Sequence, residues 1–133
     1  MKRCLWLGVC TLLVLTATSC GGGKVLEADG RYVLVGEKRV NEAGTGFGGT
    51  VQLVGDCVGL DRGGDDVVVI WPHGTKILST DPVALDVPDL GRVELGDSVD
   101  GGGDDYDAEA PIPGVEVPRA CSGAPVVSFT PNQ

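Results

Sequence analysis

A chain of 133 residues with 22 Gly, 8 Pro and only 5% aromatics has room for one domain and its ends. A mean hydropathy of +0.15 speaks against intrinsic disorder, whose sequences are poor in apolar side chains. Acids outnumber bases 19 to 10, which argues against nucleic acid as a partner, and the single His excludes any mechanism that needs two imidazoles.

Met1-Lys2-Arg3 is a short basic start, and Cys4 to Leu15 form an almost unbroken apolar run. Small residues follow, then Cys20 and three glycines. Basic, apolar and small-residue regions in that order are the parts of an export signal. The run is too short to cross a bilayer, which takes about 20 apolar residues. Ala17-Thr18-Ser19-Cys20 resembles the bacterial lipobox, although that pattern favours Leu where Ala17 stands. The resemblance implies a diacylglyceryl group on the Cys20 sulfur and cleavage before it, so that residues 1–19 are a lipoprotein signal peptide. The alternative is an ordinary secretory peptide with Cys20 incidental. Two or more acyl chains hold a protein on a membrane where one is marginal. The expected location is thus the extracytoplasmic face of the cell membrane, with the lipid bilayer as first partner.

Loss of Lys2 and Arg3 with the signal takes the formal charge from −9 to −11. The remaining aromatics are Tyr32, Phe47, Trp71, Tyr106 and Phe129, a thin stock for a core. Cys4 and Cys10 leave with the signal and Cys20 takes the lipid, which leaves Cys57 and Cys121. In an exported chain such a pair is most simply a disulfide, worth roughly 4 kcal/mol over this span in the chain-entropy model. Two free thiols or a metal pair are the alternatives.

Residues 20–29 are expected to be the lipidated Cys and a flexible tether, and residues 30–133 a single all-β domain. Arg31–Val35 is the first expected strand, and Thr50–Val54 alternates as a half-buried strand does. Val67–Trp71 is apolar throughout and suits a central strand. Ala84–Val87 and Arg92–Leu95 flank the turn Pro88-Asp89-Leu90-Gly91 and are expected to form a hairpin. Val126–Phe129 closes the set. About six short strands and no helical periodicity point to a small barrel or sandwich. Asp97–Glu109, with six acids in 13 residues, is expected as an exposed loop, and Ala110–Pro118 as an extended segment.

Gly44-Thr45-Gly46-Phe47-Gly48-Gly49 matches G-x-G-x-x-G, but TVQLV follows where a dinucleotide site needs a helix. A glycine-rich interstrand loop is the expectation, with no cofactor. Two aspartate clusters could offer oxygens to Ca²⁺: Asp97, Asp100, Asp104, Asp105 and Asp107, and Asp61, Asp65 and Asp66. Neither has EF-hand spacing, and solvated surface acids are the plainer reading. His73 is the one histidine base, and no G-x-S-x-G or S-x-x-K brings it a serine.

Cys57-Val58-Gly59-Leu60, Trp71-Pro72-His73-Gly74-Thr75, Gly96-Asp97-Ser98-Val99 with Gly101-Gly102-Gly103, and Cys121 resemble, as an ordered set, small exported lipoproteins of actinobacteria. That resemblance spans residues 50–122 and implies a disulfide-linked envelope β-domain without an assigned activity. His73 falls on the variable position of W-P-x-G-T. The leading expectation is a non-catalytic domain that binds an envelope protein or carbohydrate, or serves structurally. Its candidate surfaces are the loops at Gly44–Gly49 and Asp97–Asp107. A Ca²⁺-binding module is the second expectation and a small hydrolase the third.

Overall fold

The structure, a computed structural model, describes residues 23–37, 45–103, 105–106, 115–121 and 123–131. Among these the chain is all β, with one short 3-10 turn at Arg119–Cys121 and no α-helix. Twelve strands follow one another: β1 (Lys24–Ala28), β2 (Arg31–Val35), β3 (Thr45–Val54), β4 (Cys57–Asp61), β5 (Asp66–Trp71), β6 (Lys76–Thr80), β7 (Val83–Val87), β8 (Gly91–Glu94), β9 (Ser98–Gly103), β10 (Asp105–Tyr106), β11 (Val126–Ser128) and β12 (Thr130–Pro131).

Nine strands form one sheet in the order β10-β11-β5-β2-β4-β3-β9-β12, with β1 on the side of β2. The other three form a meander, β6-β7-β8. The large sheet does not close into a barrel, and of the two architectures expected the chain takes the small sandwich. β4 and β5 pair only from Gly59–Asp61 to Asp66–Val68. Beyond that stretch β2 enters, with Tyr32 against Cys57 and Leu34 and Val35 against Ile70 and Trp71. The C-terminal ribbon ties the sheet's ends: β11 runs parallel to β5, and after Phe129 the chain joins β9 as β12.

Both faces of the large sheet are covered, which explains why β5 is apolar at every position but its first. Val67, Val69 and Trp71 enter a core shared with Val83, Leu85, Val87 and Val93 of the meander. Val68 and Ile70 face the other way, into a second core with Leu34, Cys57, Val115, Cys121 and Val126. The same alternation splits Val33 and Val35 from Leu34. β7 keeps only Asp86 exposed, between the buried Leu85 and Val87. Cys57 and Cys121 are joined, their Cα atoms 5.1 Å apart, and the bridge lies inside the second core.

All six expected strands are present, and the Val83–Val87 and Gly91–Glu94 strands pair as the expected hairpin. Three segments differ from expectation. Gly44–Gly49 was expected as a loop, but Thr45–Gly49 is the first half of β3, laddered from Thr45↔Gly103 to Thr50↔Ser98. Asp97–Glu109 was expected as a loop too, yet it supplies β9 and β10. Lys24–Ala28, placed in the tether, is β1 and pairs residue by residue with β2. In each case hydrogen bonding to a neighbouring strand fixes the backbone where side-chain pattern gives little signal.

Close backbone approach is what the glycines provide. A Cβ on Gly59 would lie 2.1 Å from the Val67 carbonyl oxygen and 2.9 Å from Val54 Cγ2. Gly46 has open space in the same place. Gly59→Ala is therefore expected to cost about 2 kcal/mol or more by forcing β4 from β5, while Gly46→Ala changes stability by less than about 1 kcal/mol. Urea unfolding of the two variants checks the contrast, and equal midpoints would contradict it.

Candidate functional site

The motif residues have architectural duties. Trp71 is fully buried, packs edge-on against Phe129 with ring centres 5.8 Å apart, and donates from Nε1 to the Val58 carbonyl at 3.2 Å. Just after it, the Pro72 carbonyl accepts both from the Thr75 N–H at 3.1 Å and from Thr75 Oγ1 at 2.7 Å. Thr75 is almost wholly buried and its hydroxyl is satisfied by that bond. Gly74 takes φ +91° in this turn. Asp97 Oδ2 accepts from the Glu94 N–H at 2.8 Å, and the Asp97 carbonyl accepts from the Val51 N–H. Gly101 lies where a Cβ would be 2.2 Å from the Thr130 carbonyl oxygen.

His73 lies exposed at the tip of the Pro72–Thr75 turn, its Nδ1 3.3 Å from the Gly36 carbonyl oxygen.

The structure brings the two candidate binding loops together. Gly46 faces Gly102, Phe47 faces Gly101 and Gly48 faces Asp100, so the segments are neighbouring strands of one ribbon, which β12 extends on the far side of β9. Such a ribbon presents backbone more than side chain. Asp100 is exposed on it, while Asp97 already accepts a backbone N–H. Asp104 and Asp107 lie outside the described residues, and of Asp105 only the backbone strand is described. Among the described residues no three His, Cys, Asp or Glu side chains are placed to hold one metal ion.

The other aspartate cluster closes the β4–β5 hairpin. Asp61 Oδ1 accepts from the Gly64 N–H at 2.7 Å, and the Arg62 N–H donates to the Asp65 carbonyl at 2.9 Å. Asp66 accepts from the Gln52 side-chain amide. A depression of about 410 Å³ opens beside this hairpin, with Arg62, Asp65 and Asp66 on one wall and Pro125 on the other. Its lining includes one guanidinium and two carboxylates, of which Asp66 is bonded to Gln52. The sequence carries no signal for it, because its walls meet only through the pairing of β11 with β5. Cys20 lies outside the described residues.

No protein-family model, curated protein or solved structure matches the chain. The class that the structure itself defines is a small all-β sandwich with a disulfide in its second core.

Proposed function

We propose that this chain is a membrane-anchored envelope lipoprotein, held on the extracytoplasmic face of the cell membrane by acylated Cys20. Its β-domain serves a binding or structural role and carries out no catalysis. The observation that carries the reading is Ala17-Thr18-Ser19-Cys20 closing a 12-residue apolar run behind Lys2 and Arg3. It is supported by what the polar side chains do. Thr75, Asp61, Asp97 and the Trp71 indole are each committed to a backbone group of the fold, and His73 Nδ1 lies against the Gly36 carbonyl. Partners other than the bilayer are an envelope protein or a carbohydrate, met on β3 and β9 where Gly46, Thr50, Ser98 and Asp100 are exposed.

Cys20→Ala is the test. The variant is expected to remain unprocessed or to appear in the medium, and to lose partitioning into the detergent phase. Continued detergent partitioning of a processed Cys20→Ala protein would overturn the anchor.

A further inference from the structure

We propose that one end of the sandwich, the end where β1 begins, lies against the headgroups of the bilayer, and that the opposite end points away from it. The proposal rests on acylation of Cys20 and adds to it the face presented to the lipid.

The length of chain between the lipid and the fold carries the argument. Only Gly21, Gly22 and Gly23 separate Cys20 from Lys24, the first residue of β1. At 3.3–3.6 Å per residue, full extension puts Lys24 no more than about 14 Å from Cys20. β1 spans about another 14 Å from Lys24 to Ala28, so the attachment point lies at one end of the strand. The fold is therefore held by one end.

The hydrogen bonds identify what shares that end. Lys24 is opposite Val35, and the next residue, Gly36, donates its N–H to the Trp71 carbonyl at 2.8 Å. His73 reaches the Gly36 carbonyl, Lys76 follows as the first residue of β6, and Gly74 lies against Pro88 of the β7–β8 turn. At the other end the Asp29-Gly30 turn joins β1 to β2, and Asp29 accepts from Thr80 Oγ1. Asp81-Pro82 follows Thr80, and Asp56 accepts from the Tyr32 N–H.

Charge favours the same orientation, though less strongly. The near end sets Lys24 and Lys76 against Glu37, Asp86 and Asp89. The far end has Asp29 and Asp81, its Arg31 being bonded to Asp56 at 2.8 Å. An anionic leaflet repels the more acidic end within a Debye length of about 8 Å, which disfavours the domain lying flat.

The experiment uses the processed, acylated protein, which begins at Cys20 and has lost Cys4 and Cys10, in vesicles of phosphatidylcholine and phosphatidylglycerol whose headgroups carry a fluorescence quencher. Cys57 and Cys121 are bonded to each other, so His73→Cys and Asp81→Cys each give one thiol for a fluorophore. The label at position 73 is expected to be quenched several-fold more than the label at 81. Equal or reversed quenching, with the protein floating on the vesicles, would overturn the orientation and leave the anchor standing. Failure to float would overturn the anchor and the orientation with it. Inserting a long Gly-Ser segment after Gly23 is expected to keep flotation and abolish the difference. A difference that survived the insertion would overturn the short tether as its cause.

Discussion

Replacing Cys57 and Cys121 together with Ala is expected to lower the melting temperature of the folded domain by more than about 10 °C. The bridge closes 64 positions of chain. It holds the 3-10 turn Arg119–Cys121 onto the start of β4, in the core that also takes Leu34, Val68, Ile70 and Val126. Asp56 adds a backbone bond to the Ala120 carbonyl at 2.8 Å, and the Val68 N–H another to the Pro125 carbonyl just before β11, so the bridge is the covalent tie of this segment beside those bonds. A closed loop of this length is worth roughly 4 kcal/mol against a total of 5–15 for an ordinary domain. Thermal unfolding followed by circular dichroism measures the loss. An unchanged melting temperature would mean that the second core holds without its bridge. Alkylation of the unreduced domain is expected to add nothing, and two alkylated thiols would mean that no bridge forms.

Trp71→Ala is expected to cost about 3–5 kcal/mol, the range for emptying a large buried aromatic site. The ring is the largest fully buried side chain, sits where the last residue of β5 meets β2, and braces Phe129 of the C-terminal ribbon. Trp71→Phe keeps much of that contact but leaves the Val58 carbonyl without its indole donor, for about 1–3 kcal/mol. Once residues 1–19 are gone Trp71 is the single tryptophan, so its own fluorescence follows urea unfolding of the parent. Circular dichroism follows the variants. A Trp71→Ala midpoint equal to that of the parent would contradict a core built around this residue.

The sequence made legible the strands that bury side chains in a regular pattern. β5 is apolar because both of its faces are covered, and the β7–β8 hairpin is announced by its turn, Pro88-Asp89-Leu90-Gly91. The cysteine pairing was legible by elimination. The first half of β3 and all of β9 were not, since glycine and aspartate there give no periodicity. What makes those segments strands is their mutual register and the tight approach at Gly101, both set by residues distant in sequence. β1 was hidden by its place after three glycines, although Val25 and Leu26 are both partly buried against the sheet. Of the candidate surfaces, the ribbon's members could be named from sequence but not their pairing, and the depression beside Arg62 could not be named at all.

Anchoring through Cys20 is the claim on which the rest of the functional account depends, and the intact mass of the protein extracted from membranes tests it most directly. The extracted chain is expected to begin at Cys20, to lack residues 1–19, and to carry the added mass of a diacylglyceryl group, with or without a further acyl chain on the new amino terminus. Digestion should place all of that mass on the peptide containing Cys20. A membrane-extracted chain with residues 1–19 still attached, or one whose Cys20 is an unmodified thiol, would contradict it.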